Sequence, residues 1–410
     1  MAGLRGLLAR TASPLQTIPA SCRRALAWDS TSGLLGGLFT GAVYPFLGVI
    51  ARGELHASIY LIALLNSSGS VGNLLNPMVA HAARSRPKLP FVVWPSAIGR
   101  ACFLFMPLAT AAPAFVAIAC LANFTMAFAA PAYAAVIRDA YPAARRGRFM
   151  GLVRVLVVIG TTAGAAVGGW LLDRHSYRFI FPAVTGFGLL STLAFSRVGV
   201  PAAPEEGGTS GLRLADVFAV ARRDPSFKLY CTCFYLYGFG NLISGPVMTV
   251  VQVDALHITK QWASYLAIAG ALSSIAGYLY WGRIVDRRGP FHLMLMVIAV
   301  VIVSPITYFF AQSVPVLLIA SCATGFGWAG GDLGYVNAAM RFGRRESATA
   351  YAAMFAFLQA MRGIPGPFIG AALSDLIGPR PVFLIALGFW AASAAVLLRS
   401  GALKINMEVE

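Results

Sequence analysis

The sequence predicts an all-α polytopic membrane protein with twelve transmembrane helices in two pseudo-symmetric six-helix bundles. The chain has 410 residues, of which 58% are hydrophobic and only 11% charged, whereas soluble domains carry about 25% charged residues. Twelve apolar runs approach the ~20 residues that a helix needs to cross the hydrocarbon core. The two halves of the chain also show an internal repeat, which predicts two related bundles.

The predicted spans set the domain boundaries. A polar stretch at residues 197–228, rich in Pro, Gly and acids, divides the spans six and six and suits a flexible linker with a short amphipathic helix. The predicted units are an N-tail (1–24), an N-terminal bundle (25–197), a linker (198–226), a C-terminal bundle (227–399) and a C-tail (400–410). The predicted spans are 30–51, 57–80, 90–110, 113–137, 149–171, 179–196, 227–252, 261–282, 290–312, 315–340, 349–373 and 381–398.

Basic residues predict the orientation. With both termini in the cytoplasm, 24 of the 32 Lys and Arg residues lie on the cytoplasmic face and five on the opposite face. This bias follows the positive-inside rule and predicts a multi-pass protein of the cell (inner, cytoplasmic) membrane. The basic, acid-poor N-terminus also resembles an organellar transit peptide, and an arginine-rich cytoplasmic tail is the preferred interpretation. The five basic residues on the opposite face are Arg52, Arg174, Arg178, Lys260 and Arg380.

Several function classes are not supported by the sequence. The net charge of +17 is spread in short clusters between apolar runs, and no nucleic-acid-binding motif accompanies it. The six cysteines lie mostly in apolar runs, and the five histidines form no cluster, so we expect no metal, no cofactor and no enzymatic activity. The expected partners are the lipid bilayer, a small-molecule substrate and protons, with the chain itself a monomer.

The internal repeat becomes visible when the sequence is shifted by 202 residues. Five like residues then coincide across the fifth and sixth spans and their counterparts, and parallel repeats of this kind are typical of transporters. The coinciding pairs are Gly164 with Gly366, Gly168 with Gly370, Asp173 with Asp375, Arg178 with Arg380, and Phe181 with Phe383.

The twelve spans, the repeat and the central linker resemble the major facilitator superfamily over nearly the whole chain. The segment GRIVDRRG, residues 282–289, is similar to a loop motif of that family, and the resemblance implies a gating role for it. The equivalent first-half loop has Arg84 and Pro87 at motif positions where the family has Asp and Gly. The matching gating residues are Gly282, Asp286, Arg287 and Gly289.

Small residues in two spans resemble the family's antiporter motif, with Ala165 in place of its proline. Glycines four residues apart let another helix backbone approach closely, so generic packing without any meaning for export is the alternative. The glycines and proline in question are Gly160, Gly164 and Gly168 in the fifth span, and Gly366, Pro367 and Gly370 in the eleventh.

In the superfamily, the first, fourth, seventh and tenth spans line a central cavity, so the resemblance assigns their polar and aromatic residues to a substrate site. Aromatic groups with a few hydrogen-bonding tips suit a pocket for a small organic molecule; interfacial belts are the alternative. The candidates are Tyr44, Asn123, Tyr133, Asn241, Trp328, Tyr335 and Asn337.

Asp332 is the most distinctive residue of the sequence, because it is an acid in a glycine-rich apolar span. Such acids usually face the bundle interior, a partner or water, which favours a proton-coupling site or a substrate contact over a structural ion pair. Arg362 in the eleventh span is the candidate partner, or alternatively a contact for an anionic substrate. The leading function is therefore a proton-coupled secondary transporter of a small organic solute. The alternatives are a uniporter or organic-anion exchanger, and a non-transporting receptor or assembly factor.

Overall fold

A computed structural model describes residues 20–76, 78–79, 86–142, 146–199, 224–342 and 348–400. Helices account for nearly all of these residues, and none of them forms a strand. The predicted tails and linker lie largely outside the described residues. The first helix nevertheless begins at Ala20, ten residues before the predicted first span.

The helices follow the predicted order of spans. The N-terminal half contains α1 (Ala20–Gly53), α2 (Ile59–Leu74), α3 (Lys88–Ala101), α4 (Ala112–Ala127), α5 (Ala129–Ala140), α6 (Arg146–Leu172) and α7 (Tyr177–Ser196). The C-terminal half contains α8 (Pro225–Val250), α9 (Lys260–Val301), α10 (Val303–Phe310), α11 (Leu317–Phe342), α12 (Ala348–Gly363), α13 (Pro365–Ile377) and α14 (Pro379–Arg399).

Some predicted spans are composed of two segments. The third span is α3 followed by a 3₁₀ segment, and the fourth is α4 and α5 together. The eleventh span is interrupted between α12 and α13, where Pro365 cannot donate a helical hydrogen bond. The eighth and ninth spans follow one another in α9 without a loop between them. The chain turns at Gly289, whose φ of 73° is readily adopted by a residue without a Cβ.

Ten helical stretches of the described chain are long and apolar enough to cross a membrane. The second and eleventh spans are the two predicted spans outside this group, because α2 is short and the eleventh span is divided. Many large apolar side chains, such as Leu376 and Phe179, are exposed on the helix surfaces. That pattern is expected where lipid rather than water surrounds the protein.

Three clusters of buried apolar residues show how the halves are joined. One cluster includes residues of both halves, among them Phe46 and Val247. A second lies within the C-terminal half and a third within the N-terminal half. The halves therefore share a core at one end of the molecule and have separate cores toward the other.

Candidate functional site

The two halves are bonded to each other at one end, which we call the closed end. Arg52 at the end of α1 donates two hydrogen bonds to the carboxylate of Asp254, from Nε to Oδ1 at 3.0 Å and from Nη2 to Oδ2 at 2.6 Å. Glu54 pairs with Lys260 at the start of α9. Within the described chain, every hydrogen bond and ion pair between the halves lies at this end, so we call the opposite end the open end.

The repeated acids Asp173 and Asp375 also lie at the closed end. Asp173 follows α6 and accepts hydrogen bonds from the backbone N–H groups of Lys260 and Gln261, each at 3.1 Å. It therefore satisfies free donors at the start of a helix in the opposite half. Asp375 lies close enough to the Tyr60 hydroxyl at the start of α2 to interact with it. Each half thus uses the equivalent acid to contact the other half.

A cavity of about 580 Å³ lies between the halves, next to the closed end. It is lined by α1, α2 and α4 of one half and by α8 and the π-helical turn Val251–Ala255 of the other. None of its lining residues is ionisable as an acid or a base at neutral pH. The polar residues that line it are Tyr44, Asn66, Asn73, Asn123, Thr249 and Gln252.

Three amide side chains of the cavity donate to the protein. Asn66 Nδ2 donates to a carbonyl one turn earlier in α2, at 2.9 Å. Asn123 Nδ2 donates to Ser68 Oγ at 3.0 Å, and Gln252 Nε2 donates to Tyr308 Oη at 2.5 Å. Because an amide also has a carbonyl oxygen with two lone pairs, each of these side chains retains acceptor capacity toward the cavity.

Asp332 lies on an exposed face of α11. On this helix, Gly331 faces the Tyr237 hydroxyl of α8, and Gly325 packs against Gly270 of α9. Asp332 and Trp328 lie between these two faces and are both exposed. The charge of Arg154, in the opposite half, acts on the Tyr278 hydroxyl of α9, which places this face of α11 toward the N-terminal half. Tyr278 of α9 donates a hydrogen bond to Asp332 Oδ2 at 3.0 Å.

The expected pair between Asp332 and Arg362 is not formed. Arg362 is only 7% exposed, and its Nη1 donates to the carbonyl oxygen of Phe234 in α8. Its guanidinium also lies 4.2 Å from the centroid of the Phe234 ring. The backbone of Gly238 leaves the necessary space, because a Cβ there would overlap the guanidinium. Arg362 therefore joins α12 to α8 instead of neutralising Asp332.

Arg100 of α3 finds its described hydrogen-bond partners within the N-terminal half, although its Nε has none. Its Nη1 donates to the carbonyl of Gly188 at 2.8 Å and to Thr192 Oγ1 at 2.5 Å. Both acceptors belong to α7, so Arg100 joins α3 to α7. Arg100 and Arg362 resemble each other in that each donates a hydrogen bond to a backbone carbonyl of a neighbouring helix.

A second acid, Asp29 of α1, is buried inside the N-terminal half. It is 2% exposed and accepts a hydrogen bond from Tyr141 Oη at 2.7 Å. Burial and the neighbouring carboxylate hold the pKa of the Tyr141 hydroxyl well above its ordinary value, so this phenol remains a donor at all physiological pH values. The charge of Arg154, on α6, also acts on Asp29.

The other predicted cavity residues are distributed over several environments. Tyr44 and Asn123 line the cavity. Tyr133 packs with the core of the N-terminal half, and Asn241 contacts the Tyr237 hydroxyl. The side chains of Tyr335, Asn337 and the gating residue Asp286 lie outside the described part of the structure.

The remaining gating residues differ in their surroundings. Arg287 is exposed, Gly282 has open space around its Cα, and Gly289 forms the turn. The gating role of the motif stays a prediction.

The glycines of the antiporter-like motifs lie at close helix contacts. Gly160 and Gly164 of α6 face the backbone of α1, where a Cβ would collide with carbonyl oxygens of Leu34 and Leu38. Gly370 of α13 faces the carbonyl of Ile243 in α8 in the same manner. The motif residues Gly168, Gly366 and Pro367 are also in close or buried positions.

Comparison with protein families gives a match to the Major Facilitator Superfamily over residues 30–367. The chain belongs to the major facilitator superfamily. This membership confirms the fold class expected from the resemblance and the assignment to membrane transport rather than enzymatic activity. It extends over most of both halves, including the cavity and Asp332.

Curated relatives of this superfamily transporter are identical to it at about a quarter of the aligned positions. The multidrug resistance protein MdtG of Dickeya zeae (strain Ech586) is 24% identical over 265 residues, which is 61% of this chain and 62% of that protein. The uncharacterized MFS-type transporter YuxJ of Bacillus subtilis (strain 168) is 23% identical over 273 residues, 64% of this chain and 68% of that protein. The match to MdtG thus spans less than two thirds of that relative.

Solved structures of the superfamily show the same fold. The nucleoside transporter NupG has a TM-score of 0.74 at 14% identity, with 92% of this chain and 99% of that chain covered. A bacterial homologue of the human lysosomal transporter Spinster, in an inward-facing and unoccupied conformation, has a TM-score of 0.68 at 13% identity, with 95% and 98% covered.

Several residues of the site were not singled out as substrate contacts from the sequence. Asn66 and Asn73 are the two ends of the polar run NSSGSVGN in the second span, whose small and amide residues also suit helix–helix hydrogen bonding. Thr249 and Gln252 follow Pro246 at the end of the seventh span. Amides in the apolar runs were the available signal for Asn66 and Asn73. Nothing in the local sequence indicates which amide faces the cavity, because that depends on how the two halves meet.

Proposed function

We propose that this transporter is a proton-coupled secondary active carrier of a small organic solute that works by alternating access. The observation that supports this most directly is Asp332: it is an exposed carboxylate in the space between the halves, with a hydrogen bond from Tyr278 and, within the described chain, no ion pair. A titratable group that is reachable from one side of a membrane is what proton coupling requires.

The cavity supports alternating access, because both halves line it and, in the part of the chain that the structure describes, bonds across the halves occur at one end only. If the halves rock, the pairs at the closed end separate and the cavity opens there. The inward-facing conformation of the Spinster homologue and the basic bias of the chain favour assigning the open end to the cytoplasm. Both termini are then cytoplasmic, in a monomer of the inner membrane.

The cavity also favours a class of substrate. Its amide carbonyl oxygens accept hydrogen bonds and it contains no ionised lining group, so it suits an uncharged solute with several O–H or N–H donors. Nucleosides have this chemistry, and NupG transports them. Lipophilic drugs are the second candidate, because MdtG is named a multidrug resistance protein.

Two alternatives are less well supported. An anion exchanger centred on Arg362 would need a free guanidinium, whereas this one is buried against Phe234. A receptor or assembly factor without transport would not need a cavity shared by both halves. A uniporter remains compatible with the cavity and is excluded only if accumulation depends on a proton gradient.

Transport of two probes by proteoliposomes tests the proposal. We expect radiolabelled uridine, and less strongly the dye ethidium, to move against its concentration gradient when a pH gradient is imposed. Asp332→Asn should abolish this accumulation, because a neutral amide cannot exchange a proton, while exchange of probe across the membrane without a gradient persists.

The matched control is Asp224→Asn, which changes an acid at the start of α8 that caps the N–H of Phe227; asparagine caps a helix about as well as aspartate. Accumulation by the Asp332→Asn variant at the normal rate would overturn the proton-coupling role. Loss of probe exchange as well as accumulation would instead identify Asp332 as a substrate contact.

A further inference from the structure

Arg154 is an exposed cation of α6 that lies near an acid of its own half and near a tyrosine hydroxyl of the other. The face of α6 that carries Gly160 and Gly164 packs against α1, and Arg154 lies at the edge of that face, toward α9 of the opposite half. Its charge acts on Asp29 in its own half and on the Tyr278 hydroxyl in the other. Tyr278 in turn donates to Asp332.

Asp29 needs a nearby positive charge in the conformation that the structure shows. It is almost fully buried, and within the described chain it forms a hydrogen bond with Tyr141 but no ion pair. A buried carboxylate is costly without a compensating charge, and Arg154 is the cation that acts on it. Burial works against the ionised form of Asp29 and the charge of Arg154 favours it, while the arginine side chain itself stays exposed and, within the described residues, forms no ion pair.

Among the described residues, no cation pairs with Asp332 in the same conformation. Its described partner is the neutral phenol of Tyr278, and Arg362 is engaged elsewhere. Helices α6 and α9 already pack against each other across the halves, with Gly169 against Ser264 near the closed end. Closing the open end brings the other ends of these two helices together, and Arg154 then approaches Asp332.

We propose that Arg154 is a shared counter-ion: it compensates Asp29 while the open end is open and pairs with Asp332 when that end closes. This inference rests on the proposed function, since it gives the coupling carboxylate its partner. The ionisable groups on which the charge of Arg154 acts are Asp29 and Tyr133 in its own half and Tyr278 in the opposite half. Tyr141 and Asp332 lie one hydrogen bond further away, on Asp29 and Tyr278 respectively.

The shared counter-ion defines a direction of coupling. With the open end at the cytoplasm, a deprotonated Asp332 attracts Arg154, and the pair stabilises the state in which the cavity faces outward. A proton that binds Asp332 from outside removes its charge, so the pair breaks and the cavity returns to the cytoplasm. Protons therefore travel inward on the return step and solute travels outward on the deprotonated step, which is antiport.

Distances between spin labels on α6 and α9 measure closure of the open end directly. The labels are placed by Gly147→Cys, where a side chain meets open space, and by Arg283→Cys, which is exposed, after the six native cysteines are replaced. In the wild-type background we expect a short-distance population that grows as pH rises from mildly acidic to mildly alkaline. Arg154→Gln should reduce this population about fivefold at alkaline pH, as loss of one partly desolvated charge pair implies.

Three further variants distinguish a counter-ion from a merely structural residue. Arg154→Lys should restore most of the short-distance population, because it keeps the charge. Asp29→Asn should increase that population, because it releases Arg154 from its first partner. Arg174→Gln changes an exposed arginine stacked on Trp170 of the same half. This control should leave the short-distance population unchanged.

The outcomes separate this inference from the proposed function. If Asp332→Asn removes the response to pH and Arg154→Gln leaves it intact, Asp332 is the coupling acid and the shared counter-ion is overturned. If Asp332→Asn leaves the response intact, the proposed coupling role itself fails. If the Arg154→Gln variant and the variant with both Arg154→Gln and Asp332→Asn lose the response to pH to the same extent, the two residues act as one pair.

Discussion

The two ends of the molecule use charge in opposite ways. At the closed end, Arg52 with Asp254 and Glu54 with Lys260 form complete pairs between the halves. At the open end, Arg154 and Asp332 belong to opposite halves and are exposed. Alternating access requires that the contacts of one end break as those of the other form. The comparison therefore suggests that the closed end shows the bonded form of a gate and the open end the separated form.

The largest effect is expected when both ion pairs of the closed end are removed together. In the variant with Glu54→Gln and Asp254→Asn, the closed end should open more often, because partly exposed pairs contribute up to about 1 kcal/mol each and their loss changes the equilibrium about tenfold. The measurement is the rate at which Thr249→Cys, a cavity position next to this end, reacts with an impermeant maleimide from outside.

The control for this variant is Arg178→Gln. Arg178 belongs to the five basic residues predicted on the face opposite the cytoplasm, and its guanidinium lies over the ring of Tyr177 in its own half. Arg178→Gln should leave the labelling rate of Thr249→Cys unchanged. An equal rate in the double variant and in wild type would show that the apolar core shared by the halves, and not the ion pairs, holds this end closed.

A smaller effect is expected from the two repeated acids. Asp173→Ala leaves two N–H groups at the start of α9 without their acceptor, and loss of a helix cap typically costs about 1 kcal/mol, so the labelling rate of Thr249→Cys should rise about fivefold. Asp375→Ala removes an interaction with an exposed tyrosine and should change the rate less. Equal effects would contradict the view that capping across the halves gives Asp173 its strength.

The architecture of the protein was predictable because it depends on local properties of the sequence. Lengths of apolar runs predict the helices, and the repeated Asp173 and Asp375 occupy equivalent positions at the closed end. The glycines Gly160 and Gly164 similarly lie where α1 and α6 approach. These features follow from helix length and residue size, which need no knowledge of how the helices rotate.

The partners of the charged residues were less predictable because they depend on helix rotation. Arg362 and Asp332 lie at similar depths in neighbouring spans, which made a pair plausible, but Arg362 points to α8, where Gly238 leaves space for it. Asp29 lies one residue before the predicted first span, whereas the fold places it inside α1 and buries it against Tyr141, more than a hundred positions away. Gly238 indicates the position of the Arg362 side chain only once it is known that α12 packs against α8.

The smallest expected effect sharpens the comparison at the open end. Tyr278→Phe removes the phenol that donates to Asp332 while keeping the aromatic ring. A solvent-exposed hydrogen bond from a phenol to a carboxylate is weakened by competing water and contributes about 0.5 kcal/mol, so the short-distance population of the spin-labelled protein should increase by up to about twofold. The increase is expected because the open state loses this bond, whereas in the closed state Arg154 takes the place of the phenol. A decrease would show instead that Tyr278 stays bound to Asp332 throughout the cycle and helps to hold the closed form of this end.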